Sequence, residues 1–287
     1  MKKRYKLGNL NLKSRFFLAP MLEPNDIAFR MLCKKAGAGL TYTGMINPLS
    51  KQKIFFDDKP AIQLFCVDTK GIRDFMTRYD SKVSLWDLNL GCPSKLAGRL
   101  GFGSFLQEDL KMIEKILRLM RSLTLKPVTI KLRKSSNAIK IAKLAEKLGV
   151  DAIGIHPRTK SQGYTGNPDL KFAIKLKNKV KIPVIYSGNF NKKNSEEILN
   201  NFDFIFIGRS AIGNPGIFSE LVAKKNKISF KDYLRFAKKY KIFFRTIKMH
   251  AMHFTKNNPN AKKLRASLLK VKSIKEIKKV YNQKNLH

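Results

Sequence analysis

Short apolar runs alternate with longer helical patterns through the first part of the chain. The runs are continuous rather than alternating, as expected of parallel strands that are buried on both faces. Eight such runs are predicted as strands, at residues 16–21, 40–45, 62–65, 85–90, 128–132, 152–157, 183–188 and 204–209. None of them is long enough to span a bilayer.

Helical patterns fill the spaces between these runs. Asn25 or Asp26 is expected to cap a helix that ends at Gly37, and further helices are predicted at 108–121, at 137–148 and from Asn194 onward. Eight strand–helix units in about 220 residues predict an α/β fold of the (β/α)8 TIM barrel type. An open doubly wound sheet is the alternative, but it more often carries a Gly-x-Gly-x-x-Gly turn after its first strand.

The strand pattern stops near residue 228. The remaining sequence predicts two helices, at 230–254 and 261–281, with a break at 257–260. We therefore expect two domains, a barrel over residues 1–227 and a small all-helical domain over residues 228–287.

The charge is unusually positive. The chain has 59 Lys and Arg against 20 Asp and Glu, a formal net charge of +39. The last 60 residues hold 17 basic and 2 acidic side chains, so the excess is denser there than in the barrel. This gradient favours a nucleic-acid partner. Compositional drift is the alternative, since the chain is also rich in Asn and Ile.

Other classes of protein are disfavoured. The basic N-terminus is followed by no apolar stretch of signal-peptide length, and three cysteines at unrelated spacings make neither a disulfide framework nor a zinc site. No coiled-coil pattern requires a partner chain. The expectation is a cytoplasmic, monomeric protein with reduced thiols, no bound metal and no membrane contact.

Polar residues interrupt four of the apolar strands. Gln63, Asn89, Lys131 and His156 each lie near the end of a different strand. Polar groups in such runs are costly unless they face a site or find partners, and barrel active sites lie at the carboxyl ends of the strands. Each one alone would more often be structural, but four at one level of a barrel predict an active site.

The last two strands indicate a phosphate site. Ser187-Gly188-Asn189 and Gly208-Arg209 follow strands seven and eight, where barrels commonly bind phosphate. Glycines let backbone amides approach phosphate oxygens, and an arginine adds a bidentate contact.

The three cysteines are not equivalent. Cys33 lies in a helical apolar pattern and Cys66 follows a buried strand, so both are interpreted as packing residues. Cys92 lies in a Gly-Cys-Pro turn after strand four, and a glycine-rich segment at 98–103 is expected to form a mobile loop nearby. Cys92 is therefore the candidate functional thiol.

The chain resembles the tRNA-dihydrouridine synthases over nearly its whole length. Each matching motif is short, but their order and spacing together are specific. They are Leu18-Ala19-Pro20-Met21, Ile62-Gln63-Leu64-Phe65, Asn89-Leu90-Gly91-Cys92-Pro93-Ser94, Thr129-Ile130-Lys131-Leu132-Arg133, His156-Pro157-Arg158-Thr159, Gly163-Tyr164-Thr165-Gly166, residues 182–189 and 207–215, and in the tail Lys248-Met249-His250, Pro259-Asn260-Ala261 and Leu264-Arg265.

The resemblance implies FMN across the barrel mouth, NADPH as reductant and tRNA as substrate. It implies hydride transfer to C6 of a flipped-out uracil, with a proton for C5 from Cys92. Asn89 and Arg158 would bind the substrate. The residues implied for FMN are Ala19, Pro20 and Met21 along the isoalloxazine, Gln63, Lys131 and His156 at its ring system or ribityl chain, and Ser187, Gly188, Asn189, Gly208 and Arg209 at the phosphate.

Some positions depart from the family pattern, and two other functions stay open. Ser187-Gly188-Asn189 stands where many members carry Asn-Gly-Asp, and Cys66 and Pro157 each replace a usual glycine. A different FMN barrel that acts on a free pyrimidine such as dihydroorotate would share the barrel but have no use for a basic tail. A catalytically inactive tRNA-binding protein would have no use for Cys92, Lys131 and His156.

Overall fold

The computed structural model describes residues 4–191, 194–225, 227–256 and 258–282. A short antiparallel hairpin precedes eight parallel strands that close into a barrel, so the predicted (β/α)8 TIM barrel is confirmed. The strands are β1 (Tyr5–Leu7), β2 (Leu10–Leu12), β3 (Phe16–Leu18), β4 (Leu40–Ile46), β5 (Ala61–Leu64), β6 (Leu85–Leu90), β7 (Val128–Arg133), β8 (Ala152–His156), β9 (Val184–Tyr186) and β10 (Phe204–Ile207). The barrel strands follow chain order, and β10 pairs with β3 to close the ring.

Helices surround the barrel and continue after it. Those on the barrel are α1 (Ile27–Ala36), α2 (Ile72–Tyr79), α3 (Lys95–Leu100), α4 (Leu110–Ser122), α5 (Ala138–Lys147), α6 (Leu170–Lys177), α7 (Ser195–Asn201) and α8 (Ile217–Leu221). Those after it are α9 (Phe230–Lys239), α10 (Phe244–Phe254), α11 (Ala261–Lys270) and α12 (Ile274–Asn282). No helix in the described ranges is long and apolar enough to cross a membrane.

The hairpin β1–β2 was not predicted from the sequence. Its Leu7 and Leu12 share a buried cluster inside the barrel with Leu40, Ala61 and Leu85, which all begin their strands. The hairpin therefore covers the amino-terminal end of the barrel, and the carboxyl end is left for the site. A two-residue Gly-Asn turn between two short alternating segments was the available signal.

The structure shows which of Asn25 and Asp26 caps the first helix. Asp26 is its N-cap, because its carboxylate accepts a 3.1 Å hydrogen bond from the Phe29 amide. Asn25 instead donates through Nδ2 to the backbone oxygens of Met21 and Tyr42, both at 3.0 Å. Asn25 thus ties the loop after β3 to β4, and that loop carries predicted site residues.

The two predicted tail helices are each broken in two, so the prediction of continuous helices was wrong. Residues 230–254 divide into α9 and α10 because Lys241 adopts a left-handed conformation with φ 52°. Residues 261–281 divide into α11 and α12, where the Ser273 hydroxyl accepts a hydrogen bond from the Glu276 amide and caps the new helix. Part of the predicted break at 257–260 falls on residue 257, which lies outside the described residues.

The tail helices dock on the first barrel helix through a buried polar pair. His250 of α10 is fully buried, and its Nε2 lies 2.7 Å from the carboxylate of Asp26, the N-cap of α1. The rings of Phe29 and Tyr233 both pack against the imidazole. A division into domains at residue 228 stays a prediction, since this contact joins the two parts closely.

Candidate active site

A cavity of about 500 Å³ opens at the carboxyl ends of the barrel strands. Every residue that the sequence and the resemblance singled out lines this one cavity. These residues are Ala19, Pro20, Met21, Gln63, Asn89, Cys92, Lys131, His156, Arg158, Ser187, Gly188, Asn189, Gly208 and Arg209. Their assembly at one mouth agrees with the expected location of the site, while the individual roles stay predictions.

A chain of hydrogen bonds runs beneath the cavity to the turn that carries Cys92. The Gln63 side chain donates through Nε2 to Asp87 at 2.7 Å and accepts through Oε1 from Asn89 at 2.7 Å. Asn89 in turn accepts through Oδ1 from the amides of Gly91 and Cys92, both at 3.0 Å. The turn around Cys92 is therefore held by side chains of the neighbouring strands β5 and β6.

Asp87 is the buried end of this chain, and the sequence reading missed it. Burial raises its pKa to about 6, although hydrogen bonds from Thr129 and Gln63 and the charge of Lys131 oppose the rise. The side chain is 1% exposed and does not line the cavity, so Asp87 acts through its neighbours rather than by contact with a ligand. Its position as the one acidic residue within strand β6 was the signal that could have identified it.

The backbone of Cys92 is fixed by the segment that follows it. Its carbonyl oxygen accepts hydrogen bonds from the amide of Ser104 at 3.0 Å and from the Ser104 hydroxyl at 2.9 Å. Its thiol lies 3.4 Å from the hydroxyl of Ser94, the N-cap of α3. The segment 98–103 was expected to be a loop, but the structure has α3 through Leu100 and then a tight turn at Gly101 and Gly103.

The other two thiols are enclosed. Cys33 is 0% exposed and Cys66 is 6% exposed, and burial raises the pKa of the Cys66 thiol to about 12. Burial raises the pKa of Cys33 as well. Both are poor nucleophiles and poor acids at neutral pH. Cys92 is partly exposed in the cavity wall, so it is the thiol that a ligand in the cavity can reach.

Lys131 supplies a cation to the cavity from strand β7. Its pKa is lowered to about 8, mainly by burial and also by the nearby Arg133 guanidinium, while Asp87 acts in the opposite direction. Its ammonium lies 6.0 Å from the centre of the Phe206 ring. A lysine with this pKa is charged at neutral pH, and its charge is unusually responsive to an anion placed beside it.

His156 is held neutral. Its pKa is lowered to about 2, mainly by burial and also by the surrounding cations Lys131, Arg133, Arg158 and Arg209. The Arg158 guanidinium lies 3.1 Å from Nε2, and because arginine can only donate, Nε2 must be the acceptor. The proton of the imidazole is therefore on Nδ1, which makes that nitrogen the donor.

Arg158 makes more hydrogen bonds within the protein than binding of a substrate would require. It is fully buried, and besides His156 it donates to the backbone oxygens of Thr165 at 3.0 Å and Gly166 at 2.6 Å. These bonds anchor the loop after β8 to the imidazole. Direct contact of Arg158 with the substrate stays a prediction, and its visible role is to position His156 and the loop.

Arg133 is a second buried arginine, and the sequence analysis had not selected it. It donates to the Gly91 oxygen at 3.0 Å, next to Cys92, and to the oxygens of Thr159 at 3.0 Å and Gly163 at 2.7 Å. It thereby joins the cysteine turn to the loop after β8. The signal was an arginine directly following Lys131-Leu132 at the end of an apolar strand.

The far end of the cavity offers a cradle for an anion. Asn189 adopts φ 40°, and its Oδ1 accepts a 3.1 Å hydrogen bond from Arg209. A Cβ added to Gly208 would meet only Ala19 and Met21, both at an ordinary 3.6 Å. Neither backbone strain nor protein packing therefore requires a glycine here, and its small size leaves space for a ligand instead.

The positive charges that line the cavity favour an anionic ligand. Lys131, Arg133, Arg158 and Arg209 all line it, and none has a carboxylate partner within ion-pair distance in the described chain. Because no carboxylate balances these four positive charges, a bound anion would be stabilised in the cavity. The described residues contain no group of three or more His, Cys, Asp or Glu that could hold a metal ion.

Comparisons with known proteins agree with this chemistry. The sequence profile of the family described as Dihydrouridine synthase (Dus) matches residues 17–286. A probable tRNA-dihydrouridine synthase of Rickettsia conorii is 35% identical over 240 residues, which cover 75% of this chain and 72% of that protein. The tRNA-dihydrouridine synthase B of Klebsiella pneumoniae is 31% identical over 238 residues, covering 75% of this chain and 74% of that protein.

Solved structures show the same fold at low sequence identity. Morphinone reductase in complex with tetrahydroNAD superposes with a TM-score of 0.55 at 15% identity, covering 81% of this chain and 93% of that one. An old yellow enzyme homologue from Zymomonas mobilis gives a TM-score of 0.56 at 12% identity, covering 81% of this chain and 95% of that one. The fold, the cavity and the matched profile agree with the motif resemblance, and the chain belongs to the dihydrouridine synthase family.

Proposed function

We propose that the barrel mouth holds FMN and the target uracil together, and that Cys92 gives the proton that completes the reduction. The chain is a flavin-dependent oxidoreductase that converts uridine in tRNA to dihydrouridine, with FMN as cofactor and a nicotinamide nucleotide as reductant. The observation that carries the proposal is the cavity itself. It combines cations that have no carboxylate partner among the described residues, a glycine that leaves space for a ligand, and one accessible thiol.

FMN fits the residues that line the cavity. Its phosphate needs cations and small backbone, which Arg209, Asn189 and the open space over Gly208 provide. Lys131 would stabilise negative charge on the flavin ring, and His156 would donate from Nδ1. When bound, FMN supplies to the uracil C6 a hydride that it has taken from NADPH.

The protein's own share of the reaction is proton delivery and positioning. Saturating the C5–C6 bond requires a proton at C5, and the Cys92 thiol would provide it as general acid. Asn89 holds the amide of Cys92 and Ser104 holds its carbonyl oxygen, so the turn is anchored on both sides. Asn89 would also help to place the base, and Arg158 would act chiefly through His156 and the loop after β8.

Gln63 has little hydrogen-bonding capacity left for the flavin. Its oxygen and one of its N–H groups are already used by Asn89 and Asp87. One N–H remains for the flavin, and the side chain is 1% exposed. We therefore assign Gln63 first to the orientation of Asn89 and second to a single hydrogen bond with the cofactor.

Family membership favours tRNA over the alternatives, which were a free pyrimidine and a catalytically inactive RNA-binding protein. The basic tail would bind the RNA backbone around a uridine that is turned out of its stack. We further propose that the protein acts as a monomer in the cytoplasm, where Cys92 stays reduced, and that NADPH is the preferred reductant.

The test combines cofactor content with one substitution. Purified protein is expected to be yellow, and Cys92→Ala should retain FMN and tRNA while losing dihydrouridine formation, measured by mass spectrometry of tRNA nucleosides. Cys66→Ala is the matched control, because that thiol is buried and outside the cavity. A colourless protein that ignores added FMN, or an active Cys92→Ala enzyme, would contradict the proposal.

A further inference from the structure

A second cavity, of about 690 Å³, lies beside the active-site cavity at the junction of the barrel with α9 and α10. This cavity is hereafter the seam groove. One wall comes from residues 22–55 and the other from residues 239–246. It shares Leu22 and Met45 with the active-site cavity, so the two cavities are adjacent. None of the residues assigned above to FMN, to the uracil or to proton transfer lines the groove.

Phe243 is the most exposed aromatic residue on its wall. The side chain is 83% exposed and directly precedes α10, whereas its neighbours Ile242 and Phe244 are partly buried. The turn before it is strained, because Lys241 is a non-glycine residue with φ 52°. An aromatic ring exposed on the wall of a cavity is suited to stack on a flat ligand.

The charges of the groove favour a polyanion. Of its ionisable side chains, Arg30 is paired with Asp58 and Asp26 contacts His250. Three exposed lysines remain at its edge, namely Lys53, Lys239 and Lys241. Only Lys239 has a carboxylate near it in the described chain, at 3.6 Å. An aromatic face bordered by lysines matches a nucleotide, whose base stacks and whose phosphate is anionic.

We propose that the seam groove binds the nucleotide adjacent to the reduced uridine in the same tRNA strand, with Phe243 stacked on its base and the lysines at the flanking phosphates. The inference rests on the proposed function, because it takes a uracil in the active-site cavity as its starting point. A strand whose base enters that cavity past Leu22 and Met45 brings its next nucleotide to the groove. The covalent link makes this second binding event effectively intramolecular.

The first experiment measures tRNA affinity of the full, FMN-loaded protein at one fixed salt concentration. Phe243→Ala should weaken tRNA binding by about 10-fold, the typical loss for one stacked base. Turnover at saturating tRNA should be retained, since Phe243 does not line the active-site cavity. Phe243→Trp should restore affinity because it keeps a stacking face, whereas Phe243→Leu should not. Leu125→Ala is the matched control, since Leu125 is 93% exposed and precedes β7 at the opposite end of the barrel.

The second experiment identifies the occupant. Phe243 is replaced by photoreactive p-benzoylphenylalanine, and the nucleotide that cross-links is compared with the position of dihydrouridine. A cross-link to the nucleotide next to the reduced uridine supports the proposal. A cross-link to a distant nucleotide, unchanged affinity in Phe243→Ala, or a rise in the KM for NADPH in place of the tRNA effect would overturn it.

The two proposals fail separately. If the wild-type protein forms no dihydrouridine, the proposed function fails, and the affinity series still reports whether RNA stacks on Phe243. If dihydrouridine forms and the variants bind normally, the seam groove alone is refuted.

Discussion

Gln63 donates a 2.7 Å hydrogen bond to Asp87 where both side chains are only 1% exposed. An ionised carboxylate can only accept, so the amide of Gln63 must present its N–H to Asp87 and its oxygen to Asn89. Asn89 must then present its N–H to Gln63 and its oxygen to the amides of Gly91 and Cys92. One buried charge thus fixes the orientation of two amides and of the turn that carries the thiol.

Asp87→Asn tests this orientation without changing volume. A neutral amide can present either an N–H or an oxygen to Gln63, so the orientation of Asn89 is no longer dictated. We expect kcat to fall by about 10-fold, the equivalent of one lost hydrogen bond near the reacting thiol. FMN affinity should change little. Thr129→Val is the control, because it removes a partner of Asp87 and leaves the acceptor-only carboxylate. Equal losses in the two variants would argue for a structural role alone.

The same substitution should remove a pH effect on stability. The pKa of Asp87 is raised to about 6 in the fold from an ordinary value of 3.8. The folded state then binds the extra proton between these pH values, so this residue makes the fold less stable as pH rises through that window. Its full ionisation costs about 3 kcal/mol, from 1.36 kcal/mol per pKa unit. The unfolding free energy of Asp87→Asn relative to wild type should therefore rise by up to about 3 kcal/mol from acid to neutral pH, measured by urea unfolding. A pH-independent difference would contradict the raised pKa.

Lys131 should make FMN binding dependent on pH above neutrality. Its pKa is lowered to about 8, so its charge is present below that pH and is lost as the pH rises through it. FMN affinity, measured by quenching of flavin fluorescence, should fall above about pH 8, beyond the range in which the phosphate itself titrates. Lys131→Met should bind more weakly and with a flat profile. Lys131→Arg should also give a flat profile but retain more affinity, because a guanidinium stays charged. A wild-type profile in Lys131→Met would exclude Lys131 as the titrating group.

The barrel could be predicted because each strand has its own short sequence pattern. Continuous apolar runs of strand length bounded by helical patterns identify parallel strands one at a time, and the eight predicted runs correspond in order to β3 through β10. The tail helices were less predictable. The break at Lys241 depends on a left-handed residue that carries no glycine or proline signal. Beside it, the ring of Tyr240 packs edge-on against Phe55, a contact between distant parts of the chain that no local pattern predicts.

The residues of the site also differ in how far the sequence could predict them. Gln63, Lys131 and His156 were identifiable because each is a polar residue in an apolar strand that faces the cavity. Asp87 is also a polar residue in an apolar strand, but it faces Gln63 and Thr129 beneath the cavity. Its role therefore depends on side chains of adjacent strands. The contacts of Arg133 with Thr159 and Gly163 join segments about 30 positions apart, which only the closed barrel brings together.

Gly103 should be needed for the position of Cys92. It has φ 66°, and an added Cβ would lie 2.7 Å from the Cys92 oxygen and 2.9 Å from its Cβ. Gly103→Ala therefore combines a left-handed strain of about 1–2 kcal/mol with a displacement of the thiol. Gly101→Ala is the matched control, because it has φ 82° but meets only Val67 at 3.9 Å. Both variants should lose stability in thermal unfolding, but only Gly103→Ala should lose most of its turnover. Equal turnover would show that the turn does not set the thiol.

The salt dependence of tRNA binding separates a functional tail from compositional drift. If tail lysines contact phosphates, each removed contact should lower the slope of log affinity against log salt by about 1. Lys262 and Lys263 are exposed on α11, and Lys111 and Lys115 are equally exposed on α4 of the barrel. Replacing the α11 pair by Gln should lower the slope by about 2, while the same change in the α4 pair should leave it unaltered. Equal effects of the two pairs would mean that the +39 charge acts as a diffuse field, without a defined contact in the tail.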